Sequence, residues 1–411
     1  MTHTPNTVSP KGPGFAEFVC LIAIMMALNA LAIDAMLPAL PAIGEDLGVV
    51  NENSRQWIIT AYLLGFGGAQ LLYGPLSDRF GRKPVLLTGI SIYVIFAVVA
   101  ACSHSFALLL MARVGMGIGI ATTRVLAVSI VRDRYEGRTM ARVMSLSFLV
   151  FLGVPILAPS IGQLVLMIGP WQWIFWVFAL FGSAFIVWAG LRLPETLHPE
   201  NRRPIRIKPI MQAFGTALTD RQSLGYTMAM TAISGALFAF ISSSQQIFFD
   251  VFEQPNLFPL VFAGIAGGIA VASLMNSALV EKLGSRLISH TALLGFIAFS
   301  VIHATISYAG YDNLWIFAIL QGFKMFCFGF VAGNFGAMAM ENMGRIAGTA
   351  SSAQGFISTI GGALLGFAIG QNFDGSTRPL TIGFAILSIV ALLLVLWVER
   401  GKLFKAKHSH R

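Results

Sequence analysis

The sequence predicts an all-α membrane protein, from its composition, the length of its apolar runs and the distribution of its basic residues. Of 411 residues, 56% are hydrophobic and 11% are charged, whereas a soluble domain is roughly 25% charged. The mean hydropathy is +0.76. Because the apolar runs far exceed the ~10 residues of a barrel strand, and lipid cannot satisfy unpaired backbone groups, the spans should be helices.

Twelve apolar windows of about 20 residues follow one another along the chain. The first has no small-residue cleavage site, so we interpret it as a retained span and not as a signal peptide. The windows cover residues 15–43, 54–76, 84–104, 106–131, 139–168, 171–193, 223–249, 257–280, 287–309, 313–340, 346–372 and 377–398.

The basic residues predict the orientation of these spans. When the windows alternate in direction, 22 of the 27 Lys and Arg fall on one side. Such an excess marks the cytoplasmic side, so we expect both termini, including a basic tail over 399–411, on the cytoplasmic side of the membrane. The net charge of +9 then reflects topology and contact with anionic lipid, and a nucleic-acid partner is not needed to explain it.

Enzymatic and metal chemistry find little support in the sequence. Cys20, Cys102 and Cys327 fall in or at the edge of spans, at no metal-ligand spacing, so we predict neither a disulfide nor a metal site. A membrane enzyme would need a nucleophile with a base, or a metal cluster, near the membrane surface. Because we find no such constellation, we do not expect an enzyme.

A long polar stretch, LPETLHPENRRPIRIKP, divides the windows six and six. Its central position favours a cytoplasmic linker over 194–222 between a first bundle, 1–193, and a second bundle, 223–398. A long loop without that role would have the same composition. A weak repeat supports two halves, since Asp-Arg-Phe-Gly at 78–81 corresponds to Glu-Lys-Leu-Gly at 281–284.

The loop after the second span reads GPLSDRFGRKP, residues 74–84. Gly74 and Gly81 permit tight turns, and Pro84 is suited to open the next helix. A loop that merely follows the positive-inside pattern would not need this order of glycines. The charged positions, which could form an interface that two halves make and break, are Asp78, Arg79, Arg82 and Lys83.

This loop resembles the G-x-L-(A/S)-D-R-x-G-R-(K/R)-P signature of the major facilitator superfamily at every specified position. The resemblance implies twelve helices in two pseudo-symmetric six-helix bundles. It also implies that the loop latches the cytoplasmic side when the protein faces outward. The stretches IDAMLPALP and LPETL extend the resemblance to the Bcr/CflA group of drug:proton antiporters.

Span four is similar to the R-x-x-Q-G pattern of proton-coupled members of this superfamily. Arg113 and Gly117 match the pattern, and Met116 stands where Gln is usual.

Span five, in VPILAPSIGQ, is similar to the antiporter signature G-x-x-x-G-P-x-x-G-G. Pro159 and Gly162 match, and Pro155 adds a second helix breaker, so this span could bend and pack closely. In span eleven Gly362 and Gly366 have small-residue spacing, which static packing explains as well as gating does.

Asp34 is the acid that we place well inside a span. A central carboxylate costs ~2.5–3.5 kcal/mol on insertion scales, so a use is expected. Pro38 and Pro41 cannot donate helical hydrogen bonds, which predicts a break just beyond the acid. By resemblance, spans one and four line a central cavity. Asp34 and Arg113 are therefore expected to share it as proton-coupling residues, although a static ion pair between them is an alternative.

Other polar groups could line the same cavity. Arg124 falls on nearly the same helix face as Arg113, and Lys324 lies in the middle of span ten. Three bases against one acid favour neutral or anionic substrates, unless Lys324 snorkels or binds a backbone carbonyl and Arg124 reaches the interface. Further candidates, each of which could equally be structural, are Tyr62, Gln70, Gln245, Gln246 and Asn334.

Together these features predict a proton-coupled multidrug efflux antiporter that exports small amphiphilic compounds by alternating access. We expect no cofactor beyond the proton gradient, and by resemblance a monomer. The alternative is a transporter of the same fold dedicated to one metabolite, such as a sugar or a nucleoside.

Overall fold

The computed structural model describes residues 12–202, 204 and 207–404, and within them the chain is helical with no β-strand. The first seven α-helices are α1 (Phe15–Asp34), α2 (Leu40–Asp46), α3 (Trp57–Phe80), α4 (Arg82–Ala101), α5 (Phe106–Arg134), α6 (Gly137–Ile168) and α7 (Gln172–Arg192). The remaining seven are α8 (Ile207–Thr219), α9 (Arg221–Gln246), α10 (Phe258–Leu283), α11 (Ser285–Tyr308), α12 (Leu314–Met340), α13 (Ala347–Gly370) and α14 (Arg378–Val398).

In the described part of the chain, eleven helical segments are long and apolar enough to cross a membrane, counting α1 and α2 together as one segment. Helix α3 takes the place of the twelfth expected span. It has 24 residues but is less apolar, since it carries the buried polar side chains Thr60 and Gln70. Those side chains face neighbouring helices, so α3 needs less apolar surface than a helix that faces lipid on most sides.

The helices pack as two similar groups of six. In the N-terminal half, α5 packs against α1, α3 and α4, while α4 also packs against α7. In the C-terminal half, α12 packs against α9, α10 and α11, while α11 also packs against α14. The halves meet at two places, where α3 contacts α13 and where α6 contacts α10. The two contacts are equivalent, because in each the second span of one half packs against the fifth span of the other.

The weak sequence repeat corresponds to a repeated turn. Gly81 ends α3 with φ 103°, and Gly284 ends α10 with φ 79°. Both values lie in the left-handed region that favours glycine, and the next helix begins at the following residue in both halves. We call this end of the molecule the motif face and the other end the opposite face.

The segment between the halves contains a helix that we did not expect. Helix α8 packs against α9 and α13, and its Ala217 lies in a small apolar cluster with Met343 and Ala350. The prolines and charges that precede α8 suggest a loop, but its own apolar residues recur at helical spacing. Helix α8 of the linker therefore rests on the C-terminal half at the motif face.

Candidate transport site

The first span breaks directly after Asp34. Helix α1 ends at this residue, a 3₁₀ turn follows over Leu37–Ala39, and α2 begins at Leu40. Pro38 and Pro41 lie within the first two positions of these elements, where their missing N–H groups remove no internal helical bond. The break that the two prolines predict is therefore present.

The Asp34 carboxyl group is buried at this break. The residue is 5% exposed, and among the described residues its Oδ1 atom has no hydrogen-bond partner. Burying an unpaired carboxylate costs far more than burying the neutral acid. Water or a nearby cation would therefore be needed to stabilise the charged form of this group.

The packing of α6 against the break depends on Gly162. A Cβ atom at this position would lie 1.7 Å from the Ala35 carbonyl oxygen and 3.1 Å from Pro38 Cγ. No side chain fits at that separation, so glycine is needed for the two segments to touch. Pro155 and Pro159 lie within the same helix. The glycine that matches the antiporter signature thus contacts the segment next to Asp34.

Arg113 is fully buried and joins three helices. Its Nε donates to the Ile58 carbonyl oxygen on α3 (3.1 Å), and Nη1 donates to the Ala32 carbonyl oxygen on α1 (3.1 Å). The guanidinium also lies 4.4 Å from the centre of the Tyr62 ring, a cation–π contact. Within the described residues Arg113 forms no ion pair, so the alternative of a static pair with Asp34 does not hold in this conformation.

Tyr62 and Arg124 differ in their access to solvent. The Tyr62 hydroxyl donates to Asn29 Oδ1 (2.8 Å), and its ring lies against Arg113, so the side chain is buried within the N-terminal half. Arg124 lies eleven residues beyond Arg113 on the same face of α5 and is exposed. Arg124 can therefore meet a ligand, whereas Tyr62 supports Arg113.

Lys324 does not lie where we expected. Its ammonium is fully buried, 3.0 Å from His303 Nδ1 on α11 and 4.1 Å from the centre of the Phe384 ring on α14. Both partners belong to the C-terminal half, so Lys324 points into that bundle. The substrate-facing role has no support in this conformation, because the acceptor and the aromatic face that stabilise the ammonium lie within its own bundle.

Amide side chains join the two halves at the opposite face. Gln56 Nε2 donates to Gln246 Oε1 (2.6 Å) and to the Gly370 carbonyl oxygen (3.0 Å). Gln246 Nε2 donates to Asn53 Oδ1 (2.8 Å), and Gln371 Nε2 donates to the Asn53 carbonyl oxygen (2.7 Å). We call Asn53, Gln56, Gln246 and Gln371 the amide seal. Gln246 thus serves closure in this conformation and is not free for a ligand.

Gln70 and Asn334 also have protein partners. Gln70 Nε2 donates to Thr359 Oγ1 (3.3 Å), a contact between the halves. Asn334 Nδ2 donates to Asn276 Oδ1 (2.7 Å), a contact between α12 and α10 within the C-terminal half. Neither amide is directed at a ligand in this conformation.

Gln245 differs from the other candidate amides. It is fully buried, and in the described part of the structure neither atom of its amide group has a hydrogen-bond partner. The same holds for Gln321 on α12, which the sequence interpretation missed. Gln245 lies one helical turn from Phe248, and Gln321 lies one helical turn from Phe317. The centroids of these two phenyl rings are 6.0 Å apart. The two amides therefore lie at a similar depth on facing helices.

The charges of the 74–84 motif are held within the N-terminal half. Arg82 Nη1 pairs with Asp78 Oδ1 (2.6 Å), and its Nε pairs with Asp133 Oδ2 (3.0 Å). The Arg82 backbone N–H donates to Glu195 Oε1 (2.9 Å), just after α7. The predicted charge cluster is thus formed, but among the described residues its ion pairs do not reach the other half in this conformation.

The remaining motif residues have separate contacts. Lys83 Nζ donates to the Gly190 carbonyl oxygen (2.7 Å), and the Arg79 guanidinium lies 5.2 Å from the centre of the Phe80 ring. At Gly74 a Cβ atom would lie 3.8 Å from Ser352 Oγ of the other half. Gly74 therefore comes near the C-terminal half.

A second ionic cluster lies at the corresponding place in the C-terminal half. Arg286 Nη2 pairs with Glu341 Oε2 (2.8 Å), and its Nε pairs with Glu399 Oε1 (2.9 Å). Glu399 follows the last helix of its half, as Glu195 does in the first half. The sequence interpretation missed this cluster, although an acid after the sixth span of each half was a detectable signal.

The glycines of span eleven pack inside the C-terminal half. Cβ atoms at Gly362 and Gly366 would lie 3.0 Å from Ser234 Cβ and 2.7 Å from the Ala239 backbone nitrogen, both on α9. Their spacing therefore lets α13 approach α9 within one bundle, which favours the packing explanation over a gating role.

The two faces of the molecule thus differ in how the halves are joined. The amide seal crosses between the halves at the opposite face, whereas the ion pairs of Arg82 and Arg286 stay within their own halves at the motif face. Arg124, on the motif-face side of Arg113 along α5, is exposed. The described contacts therefore close the molecule at the opposite face, whereas the described ion pairs at the motif face do not cross between the halves.

Comparison with known families identifies the family to which this architecture belongs. A family model described as Major Facilitator Superfamily matches residues 22–366. The chain belongs to this superfamily. Its fold is similar to that of the xylose transporter XylE from Escherichia coli in a partially occluded inward open conformation, with a TM-score of 0.74 and 12% identity over 96% of this facilitator and 99% of that chain.

Two bacterial relatives are similar to this facilitator along most of its length. A protein named bicyclomycin resistance protein homolog, from Haemophilus influenzae, is 28% identical over 380 residues, covering 92% of this chain and 94% of its own. The multidrug resistance protein MdtL of Escherichia coli O157:H7 is 28% identical over 390 residues, covering 93% and 96%. The facilitator is thus a multi-pass membrane protein of a transporter family, and its relatives are bacterial.

Proposed function

We propose that this facilitator exports small amphiphilic compounds in exchange for protons. The relatives named for bicyclomycin and multidrug resistance support the substrate class. The observation that carries the proton exchange is the buried Asp34 carboxyl group, which lies at a helix break and forms no ion pair with any residue that the structure describes. The proton gradient supplies the energy in this proposal, and no cofactor takes part.

The proposed cycle assigns the exchange to two conformations. With the motif face open, Asp34 releases its proton toward the cytoplasm and substrate enters the cavity. The 74–84 motif then joins the halves at the motif face while the amide seal separates. A proton from outside next reaches Asp34, and substrate leaves. Gly162 couples these events, because α6 contacts the backbone beside the acid and also packs against α10 of the other half.

The charges that remain accessible support a preference for neutral or anionic compounds. Lys324 and Arg113 are both held by protein groups, so neither is available to a substrate in this conformation. Arg124 is exposed and is therefore the base that we propose for contact with an anionic group. This preference thus depends on Arg124 and on the protonation of Asp34.

A dedicated transporter of a hydroxylated metabolite is the second candidate. Gln245 and Gln321 offer buried amides without partners in the described structure, and such amides suit hydroxyl or carbonyl groups of a polar ligand. A sugar or a nucleoside would use them, whereas a largely apolar drug would not. Replacing Gln245 by Leu should then abolish transport of a polar metabolite while sparing apolar compounds.

Both termini are proposed to lie in the cytoplasm of a bacterial cell, with the motif face inside. The excess of basic residues on that side supports this orientation. A monomer is sufficient for the proposed cycle, because one chain supplies both halves.

The experiment is to measure proton movement in everted membrane vesicles when neutral, anionic and cationic amphiphiles are added. Wild-type protein should release protons on addition of neutral or anionic compounds, and Asp34→Asn should not. Asp46→Asn is the matched control, since Asp46 follows in the same span but accepts a hydrogen bond from Trp171 Nε1 (2.9 Å). Equal proton release by wild type and Asp34→Asn would refute coupling through Asp34.

A further inference from the structure

The buried Lys324 belongs to a chain of ionisable groups that the transport cycle above does not use. Its ammonium can donate but cannot accept a hydrogen bond, so His303 Nδ1, at 3.0 Å, must be the acceptor. The proton of a neutral imidazole then lies on Nε2. That nitrogen is 3.2 Å from Asp312 Oδ2, which accepts it. The three groups therefore alternate donor and acceptor without a gap.

Asp312 connects this chain to the opposite face. It lies in the loop between α11 and α12, where its side chain is 7% exposed and Oδ2 also accepts a hydrogen bond from Thr377 Oγ1 (2.6 Å). Its other oxygen, Oδ1, has no partner among the described residues. The carboxylate thus lies just beneath the surface, and its buried Oδ1 retains an acceptor position for a proton.

The depth of the groups increases steadily from Asp312 to Lys324. His303 lies five residues before the end of α11, about 8 Å below it, and Lys324 lies ten residues into α12, about 15 Å from its start. The chain therefore runs from the opposite face to the middle of the membrane through two hydrogen bonds. An ammonium at that depth is costly to bury, as Asp34 is, which makes a purely structural role a poor explanation.

Two aromatic rings pack against the chain of ionisable groups. Phe384 of α14 lies against Lys324, and Phe317 of α12 lies 5.3 Å from the centre of the His303 ring. Arg378, which begins α14, is also in this region, and its Nε donates to the Ser307 carbonyl oxygen at 3.4 Å. The charges that face His303 are therefore those of Lys324 and Asp312.

We propose that Asp312, His303 and Lys324 form a proton relay, which gives the C-terminal half a proton-binding site separate from Asp34. The purpose that we assign to the transferred proton rests on the proposed function, whereas the relay itself does not. It implies that a transport cycle can move a proton through each half.

The proton transfer balances without any further reactant. Before uptake, Lys324 is neutral and the His303 imidazole carries its proton on Nδ1. When a proton binds Asp312, the Asp312 carboxyl group transfers a proton to His303 Nε2 as His303 Nδ1–H transfers its proton to Lys324. The products are an Asp312 carboxylate, a neutral imidazole protonated on Nε2, and the Lys324 ammonium. One proton has entered and one positive charge has appeared at Lys324, so no electron and no other group is transferred.

The test is a stopped-flow measurement of proton uptake by purified protein in nanodiscs after a downward pH jump, in an Asp34→Asn background and without substrate. His303→Gln is the informative variant, because a glutamine amide can accept from Lys324 and donate to Asp312 but cannot pass a proton. Uptake should slow by roughly 100-fold, at the low end of what a positioned proton-transfer group contributes. Unchanged kinetics in His303→Gln would overturn the relay.

A charge-neutral double variant, Lys324→Met with Asp312→Asn, tests the site itself. It removes both charges together, so no buried ion is left unpaired and folding is protected. It should take up one proton fewer per chain than its parent, and equal uptake would overturn the site. These results do not depend on antiport, because a wild type that released no protons on substrate addition would refute the proposed function and leave the pH-jump outcome intact.

Discussion

The guanidinium of Arg113 donates to the carbonyl oxygen of Ala32, two residues before Asp34 on the same helix. The cation therefore holds the backbone that presents the acid, and it does not neutralise the carboxyl group. This separation of tasks leaves Asp34 able to change its protonation while α1, α3 and α5 stay joined through Ile58 and Tyr62.

Replacing Arg113 by Lys should impair both stability and transport. Lysine keeps the charge, but a single ammonium on a flexible stem cannot reach both carbonyls as the planar fork does. Loss of one charged hydrogen bond should lower the free energy of unfolding by roughly 1–3 kcal/mol. Thermal unfolding in detergent and substrate-driven proton release would measure the effect. Arg132→Lys, at an exposed position of the same helix, should leave both unchanged.

Replacing Gly162 by Ala should disrupt the coupling of proton and substrate movement more than the same replacement elsewhere in α6. The added Cβ would meet the Ala35 carbonyl oxygen, so the break beside Asp34 must shift. Gly153→Ala is the matched control in the same helix, because a Cβ there has no heavy atom within 4 Å. We expect proton release to fall by at least roughly tenfold in Gly162→Ala, equivalent to about 1.4 kcal/mol. Equal rates in the two variants would show that the close approach is dispensable.

Weakening the amide seal should shift the protein toward an outward-facing state. Gln56→Ala removes the hydrogen bonds to Gln246 and to the Gly370 carbonyl, each contributing about 1 kcal/mol. Two such losses change the balance of conformations roughly 30-fold. Thiol labelling of Arg124→Cys, in a background without Cys20, Cys102 and Cys327, should slow from the motif-face side. Faster or unchanged labelling would contradict this role.

Removing the Arg286 guanidinium should destabilise the C-terminal half. Arg286→Gln leaves Glu399, whose side chain is 6% exposed, without its cation. Breaking a buried ion pair by removing one partner costs about 3–5 kcal/mol. The double variant Arg286→Gln with Glu399→Gln should recover much of the loss in thermal stability. No recovery would mean that the arginine acts through its other partner, Glu341.

The sequence predicted features that depend on local chemistry or on overall composition. Twelve apolar segments, the break at Pro38 and Pro41, and the charge cluster around Arg82 follow from helix length, missing N–H groups and a recognisable motif. Each of these is encoded within a few neighbouring residues. The helical fold and the superfamily were therefore predictable before any contact was known.

Long-range partners were not predictable in this way. The partners of Lys324 come from α11 and α14, so nothing near it in the chain shows which way its ammonium points. Arg113 likewise binds backbone carbonyls, which every residue has and which no pattern of side chains reveals. Helix α8 was missed because the charges and prolines before it dominate the composition of the linker.

The amide seal has a consequence for the conditions in which the protein can work. Its hydrogen bonds join neutral groups, so neither ionic strength nor acidity in the surrounding medium changes their charge. A closure built from carboxylates and ammonium groups would loosen in salt or acid. Brackish or acidified surroundings would therefore leave this closure unchanged, and acidity would act on the transporter through its ionisable groups, Asp34 and Asp312 among them.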